Sequence, residues 1–83
     1  MSVNGNCVLL YDSIHDVMSA EKTIKARSIW CDLIPTPRQL SSECGMSLEV
    51  RGSDLNTVLT ALADAQPARQ VYRVAGGQFK AVQ

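Results

Sequence analysis

The chain has 83 residues, 46% of them hydrophobic, and its eight basic and eight acidic residues give a formal net charge of zero. A chain of this length makes a single domain with a modest core, so no large enclosed active site is expected. The basic residues are scattered and no apolar run reaches membrane length, so we expect a cytoplasmic protein that binds neither nucleic acid nor membrane.

The first part of the chain has the pattern of a strand, a helix and a second strand. Residues 6–11 form a short apolar run that is typical of a central strand covered on both faces. Ser13, with Asp16 three residues later, resembles a capping box and predicts a helix from about Ile14 to residue 28. Residues 30–34 are rich in β-forming side chains and end at a proline, which indicates the second strand.

The third strand and the second helix follow a proline-containing loop. Residues 46–51 alternate strictly between apolar and polar side chains, as in a strand with one buried and one polar face. Gly52 ends this strand, and Ser53 is the expected N-cap of a helix that continues to about Ala65. Pro67 prevents the helix from continuing.

The last predicted strand covers residues 69–75, with Tyr72 and Val74 as the expected inward-facing pair. Residues 76–83 begin with two glycines and are expected to form a flexible tail, although Phe79 is able to dock on the domain.

The element order βαββαβ predicts a ferredoxin-like α+β domain with its compact core over about residues 6–75. Its four-stranded antiparallel sheet would have the strand order 4-1-3-2, with both helices on one face. The first two strands run in the same direction in this topology. The loop after the first strand, the proline loop and the connection at residues 66–68 should therefore lie at one end of the sheet.

The sheet face away from the helices is uncovered in this arrangement. The apolar side chains expected on or beside it are Leu10, Trp30, Ile34 and Val71. A patch of this kind favours a homodimer or a protein partner that covers it. A non-catalytic protein-interaction or regulatory module is therefore the alternative to a chemical function.

The segment between the second and third strands is a shaped loop. Pro35 and Pro37 each fix φ at about −65° and lack a backbone donor, so they shape the loop and exclude a helix. Gly45 permits a positive φ or close approach of a partner to the backbone. The neighbours of Cys44 are polar or small, which makes this thiol chemically accessible.

The three cysteines have irregular spacing that fits neither a disulfide framework nor a zinc knuckle. Cys7 and Cys31 lie in apolar runs, where a cysteine usually behaves as a small buried hydrophobe. Cys44 should lie near the start of the first helix, whose unpaired N–H groups stabilise an anion. Cys44 is therefore the candidate nucleophile, because the thiolate is the reactive form of a cysteine.

Several neighbours are candidates to support a thiolate in this loop. Arg38 would supply positive charge, Ser41 and Ser42 hydroxyl donors, and the backbone near Gly45 a small anion-binding nest. Glu43 opposes ionisation of the thiol, and an ordinary salt bridge with it is the alternative role of Arg38.

The single histidine completes neither a catalytic nor a metal centre. His15 is either a proton carrier or a solvated residue at the helix start, and it has no obvious orienting carboxylate for a Cys–His hydrolase. Together with Cys44 and Asp12 it falls short of the four ligands of a structural zinc site. We expect no metal and no cofactor.

Two segments resemble those of a known family. They are Tyr11-Asp12-Ser13 with His15-Asp16 and Ala20-Glu21-Lys22, and Leu33-Ile34-Pro35-Thr36-Pro37-Arg38-Gln39-Leu40-Ser41-Ser42-Glu43-Cys44-Gly45-Met46-Ser47-Leu48. Over about residues 8–74 the chain is similar to the bacterial selenium/sulfur carrier-like proteins, a small domain formerly of unknown function. The most specific part is the Pro-Thr-Pro-Arg motif followed by Ser-Ser-Glu-Cys-Gly.

The resemblance implies that Cys44 carries sulfur or selenium as a persulfide or selenopersulfide. A donor of the cysteine desulfurase type would load it, and an acceptor enzyme would receive the atom, so the protein is a carrier more than a turnover enzyme. Apart from the interaction module, a thiol redox sensor that uses Cys44 through sulfenic acid or a mixed disulfide is the remaining alternative.

Overall fold

The computed structural model describes residues 3–40 and 44–82. Within these residues the elements are β1 (Cys7–Leu10), α1 (Ile14–Ala26), β2 (Cys31–Pro35), β3 (Met46–Val50), α2 (Leu55–Leu62), β4 (Gln70–Ala75) and β5 (Gln78–Ala81). The strands form one sheet in the order β2-β3-β1-β4-β5, and every neighbouring pair is antiparallel. The domain is therefore α+β, with two helices and an antiparallel sheet.

The sheet has five strands, whereas the sequence predicted four. The first four strands take the predicted order, but the expected tail forms a hairpin with β4. Gly76 (φ 57°) and Gly77 (φ 78°) make the two-residue turn between β4 and β5. Positive φ at both central residues gives a turn whose twist matches that of antiparallel strands, so the two glycines connect strands instead of ending the sheet.

The larger core lies between the sheet and the helices. Its buried side chains are Val17, Ala20 and Ile24 of α1, Leu55, Val58 and Leu62 of α2, and Cys7, Leu9, Leu48, Val50 and Val71 of the sheet. Successive side chains of a strand alternate between faces, so Val71 toward the helices places Tyr72 and Val74 on the opposite face. The predicted inward pair was therefore wrong, as was the assignment of Val71 to the uncovered face.

A second, smaller core covers the opposite face of the sheet. Val8 and Leu10 of β1 are 0% and 1% exposed, and Val74 is buried beside them. Partly buried side chains that pack on these residues are Ile34 of β2, Leu40 of the β2–β3 connection, Tyr72 of β4 and Phe79 of β5. The sheet face that was predicted to be uncovered is thus largely covered by side chains of the same chain. Trp30 is 39% exposed, and the Arg51 guanidinium lies 5.1 Å from its ring centroid.

The polar side chains of β3 are buried, although the sequence predicted a polar exposed face for this strand. Ser47 is 0% and Glu49 is 3% exposed. The Glu49 carboxylate accepts hydrogen bonds from the Val3 amide (3.0 Å) and the Asn6 side-chain amide (2.8 Å). The segment before β1 therefore folds over the carboxylate and satisfies it, which alternation within β3 does not reveal.

The two helices begin differently. Ser13 caps α1 as predicted, because its hydroxyl accepts a 3.1 Å hydrogen bond from the Asp16 amide. Before α2, residues Gly52–Asp54 form a 3₁₀ turn, so Ser53 is not the N-cap and the prediction was wrong there. A Cβ on Gly52 would collide with the Gly5 carbonyl oxygen, which explains the need for glycine at this turn.

The hairpin predicts a measurable contribution of Phe79 to stability. We expect Phe79→Ala to lower the free energy of unfolding by about 2 kcal/mol, less than for a fully buried phenylalanine, since Phe79 is only partly buried. Urea unfolding followed by circular dichroism measures this change. Lys80→Ala, in the same strand but exposed, should stay within about 0.5 kcal/mol of the parent. Equal stability of the two variants would show that β5 contributes nothing to the second core.

Candidate functional site

The proline loop is a closed extension of the β2–β3 hairpin. Beyond the last paired residues, the Thr36 amide donates a 2.9 Å hydrogen bond to the Gly45 carbonyl oxygen. The hydroxyls of Thr36 and Ser47 lie 2.6 Å apart, and the Leu40 amide donates to the Pro37 carbonyl oxygen at 3.0 Å. Gly45 has φ 72°, a conformation that favours glycine. Cys44 is therefore the last residue of a loop whose two ends are held together.

The Cys44 sulfur lies where β1 ends. Its Sγ atom is 3.3 Å from the Tyr11 carbonyl oxygen and 2.9 Å from the Met46 carbonyl oxygen. A thiol is a weak hydrogen-bond donor, so the S–H group donates to these oxygens. Cys44 is half-buried, whereas Cys7 and Cys31 are buried. The connection to α1 starts at Tyr11, so Cys44 lies at the end of the sheet where the topology predicted it.

The other candidate residues have different positions around the loop. Pro35 is the final residue of β2 and pairs with Met46, whereas Pro37 starts the turn that contains exposed Arg38. His15 is exposed in the first turn of α1. The predicted hydroxyl donors Ser41 and Ser42, and Glu43 between them and the cysteine, lie outside the described residues. The supporting roles of these residues remain predictions.

Tyr11 positions the site, and its role was not predicted from the sequence. Its side chain is 2% exposed, and its hydroxyl donates a 2.7 Å hydrogen bond to the Gln66 carbonyl oxygen. Burial, reinforced by the negative charge of Asp16, raises the pKa of Tyr11 above its usual range. The sequence did contain a relevant pattern, because Tyr11 ends an apolar strand and a buried tyrosine requires a hydrogen-bond partner for its hydroxyl.

A second set of contacts fixes the same end of β1. The Arg69 amide donates to the Leu10 carbonyl oxygen at 2.9 Å, and the Arg69 side chain forms a 2.7 Å ion pair with Asp12. The segment before β4 is therefore joined to the connection between β1 and α1. The carbonyl of Tyr11, which contacts the Cys44 sulfur, lies between these two contacts in the chain.

The other two thiols are placed in the larger core. Burial raises the pKa of Cys7, and the positive charge of Arg73 only partly opposes this effect. Burial also raises the pKa of Cys31, with a further increase from the charge of Glu21. Both thiols are therefore protonated and shielded at neutral pH, as expected for buried structural cysteines.

A groove of about 530 Å³ lies on the other side of the proline loop. Its walls are formed by Ile34, Pro35, Thr36, Pro37, Arg38, Gln39, Val74, Gly77 and Phe79. It separates the loop from the β4–β5 hairpin and opens over the second core. Within residues 3–40 and 44–82, no three His, Cys, Asp or Glu side chains come together as a metal site. Neither α-helix in the described chain is long and apolar enough to cross a membrane.

The fold and the site define a small α+β domain with a half-buried cysteine at the end of a proline loop. A family model described as "Putative Se/S carrier protein-like" matches residues 6–73. The chain belongs to this family, and the resemblance predicted from its motifs is confirmed. No curated protein and no solved structure matches the chain.

Cys7, Cys31 and Tyr11 are buried and have raised pKa values, so the protein should lose stability in alkaline solution. Folding favours the protonated forms of Cys7, Cys31 and Tyr11, so their stabilising contribution is complete below the unfolded-state pKa and is lost above it. The free energy of unfolding should therefore fall from about pH 8.5, the ordinary cysteine pKa, and fall more steeply above about pH 10.

Urea unfolding between pH 7 and pH 10.5 measures this dependence. Tyr11→Phe should remove the steeper part above about pH 10, and it should cost about 1 kcal/mol at pH 7 because the bond to the Gln66 carbonyl is lost. A pH-independent free energy of unfolding across this range would contradict the assigned shifts.

The burial of the thiols also predicts selective alkylation. Native protein treated with iodoacetamide at pH 7.5 should be modified at Cys44 first, because Cys7 and Cys31 are 0% and 8% exposed. Peptide mapping should show that Cys7 and Cys31 are alkylated only as fast as the protein unfolds. Comparable early labelling of Cys31 would show that the core is open near β2. Labelling in denaturant provides the control in which all three thiols react.

Proposed function

We propose that the protein carries sulfur or selenium on Cys44 and transfers it between a donor and an acceptor protein. The position of Cys44 carries this proposal: it is half-buried at the end of a closed loop, while the other two thiols are buried in the core. Membership of the selenium/sulfur carrier-like family supports the same role.

The transfer step conserves atoms and electrons. The Cys44 thiolate attacks the terminal sulfur of a donor persulfide, and a new S–S bond forms between Cys44 Sγ and that sulfur. The S–S bond of the donor breaks, and its cysteine leaves as a thiolate that takes up a proton. No net oxidation occurs, and the acceptor removes the terminal atom by the same type of attack. Selenium follows the same sequence with an Se–S bond.

Loading requires a change in the contacts of the Cys44 sulfur. The S–H group donates to carbonyl oxygens, which are acceptors and cannot hydrogen-bond to a thiolate. The sulfur must therefore lose its proton and turn away from the Met46 carbonyl oxygen before it attacks.

The arrangement of the cysteines favours a carrier over an intramolecular dithiol sensor. Cys7 and Cys31 are both register partners of Val50, at the far end of β3 from Cys44. The extended strand Met46–Val50 alone spans about 13 Å, and Cys44 lies beyond its start. A disulfide requires Cα atoms within about 7 Å, so neither buried thiol can resolve a modified Cys44.

The test is intact-protein mass spectrometry after incubation with a cysteine desulfurase and cysteine or selenocysteine. We expect one added sulfur or selenium atom on the parent protein, removed by dithiothreitol. Cys44→Ser should show no adduct, because it lacks the attacking thiol. Cys31→Ala is the matched control and should load like the parent, since Cys31 is buried far from the loop.

Two results would contradict the carrier proposal. One is the absence of an adduct under conditions that load a known sulfur carrier. The other is an oxygen adduct or mixed disulfide on Cys44 in place of a persulfide, which would favour the redox sensor.

The groove beside the proline loop favours a second candidate, a protein-interaction module. Its apolar floor and the fixed backbone of Pro35 and Pro37 are suited to recognition of a partner segment. In that role Cys44 only packs, so Cys44→Ser would leave partner binding unchanged. A partner that binds parent and Cys44→Ser equally, combined with no sulfur adduct, would favour this module over the carrier.

A further inference from the structure

The first turns of α1 expose two apolar side chains. Ile14 is 45% and Met18 is 46% exposed, and both are outside the two cores. Residues four apart lie one above the other on the same side of a helix, so these side chains form one continuous surface. We call this pair the α1 patch.

The orientation of α1 shows which part of the fold borders the α1 patch. The helix places Val17, Ala20 and Ile24 on the sheet, and Thr23 on one flank bonds to the Gln66 side chain. The opposite flank carries the α1 patch and, further along, Glu21 and Lys25. The charges of this second pair act on the Cys31 thiol at the start of β2. The flank with the α1 patch therefore runs along the edge strand β2.

The direction of the strands locates the α1 patch relative to Cys44. Strands β1 and β2 both pair antiparallel with β3, so they run in the same direction. The helix that connects them runs in the opposite direction. Its first turns therefore lie at the end where β2 enters the proline loop and where the Cys44 sulfur contacts the Tyr11 carbonyl oxygen. The α1 patch and the thiol share one end of the domain.

We propose that Ile14 and Met18 form the docking surface for the protein that donates sulfur or selenium to Cys44. This inference rests on the proposed carrier function, because direct attack on a donor persulfide requires the donor to cover this end of the domain. The Cys44 sulfur contacts the carbonyl oxygen of Tyr11, three residues before Ile14 starts α1, so a donor that reaches this sulfur lies close to the first turns of the helix.

The size of the α1 patch indicates a transient protein partner and not a second copy of the chain. Stable homodimers usually bury about 800 Å² or more on each partner, with an apolar centre. Two half-exposed side chains provide only a small part of such an area. A carrier must release its donor before it reaches an acceptor, so a small apolar contact is suited to this partner.

The experiment compares two routes of loading on the same variants. Ile14→Gln, Met18→Gln and the double variant remove the apolar surface, and glutamine keeps the length of methionine and a high helix propensity. Trp30→Gln is the matched control, because Trp30 is similarly exposed but precedes β2 at the opposite end of the sheet. Each protein is loaded by the cysteine desulfurase and, separately, by cysteine persulfide as a small-molecule donor.

We expect the double variant to be loaded by the desulfurase roughly tenfold more slowly at sub-saturating protein, through a higher KM. Loading by cysteine persulfide should be unchanged, because this donor needs no docking surface. Trp30→Gln should match the parent by both routes. Circular dichroism and urea unfolding verify that the variants are folded.

The outcomes separate the docking proposal from the carrier proposal. Desulfurase loading of the double variant at the parental rate would overturn the docking surface and leave the carrier function intact. An equal loss by both routes would also overturn it, because the variants would then disturb Cys44 itself. A parent dimer that the double variant dissociates, measured by sedimentation velocity, would assign the α1 patch to a self-interface. Failure of both donors to load the parent would refute the carrier function itself.

Discussion

Burial of β1 on both faces is the constraint on which the rest of the structure depends. The helices cover Cys7 and Leu9 on one face, but Val8 and Leu10 on the other face also require cover, and burial of each such side chain is worth about 1.5–3 kcal/mol. A domain of this size has no third layer, so Leu40 of the proline loop and Phe79 of β5 supply the cover. The loop that ends at Cys44 is thus held by the second core as well as by its backbone bonds.

The environment of the sulfur follows from that arrangement. Leu40 is tied to the second core at one side of the loop, and the Thr36 amide holds the Gly45 carbonyl at the other. The Cys44 sulfur between them rests on two carbonyl oxygens. The S–H group donates to both of these oxygens. If Cys44 carries sulfur, its side chain must leave these two oxygens before the sulfur attacks a donor.

The sequence predicted those features that local patterns determine. The Ser13 cap, the alternation in β3 and the isolated setting of Cys44 each depend on neighbours in the chain, and the structure has the cap, the strand and the loop at those places. Features that depend on distant residues were missed. Glu49 is buried by the segment before β1, and β4 carries apolar side chains on both faces, so its pattern does not identify the helix side. The sequence Gly76-Gly77 is compatible with a flexible tail and with a tight turn. Only the pairing of β5 with β4 distinguishes the two.

The separation of the thiols connects the fold to the proposed chemistry. A persulfide is itself open to attack by any thiolate within reach, so a second accessible cysteine near Cys44 would remove the cargo and leave an internal disulfide. The fold places Cys7 and Cys31 in the core at the far end of β3, where burial keeps both thiols protonated. If Cys44 holds sulfur, only a thiolate from outside the chain can then reach it, such as that of an acceptor protein. In the proposed carrier, the same core that positions the loop would therefore make release of the sulfur depend on a thiol from outside the chain.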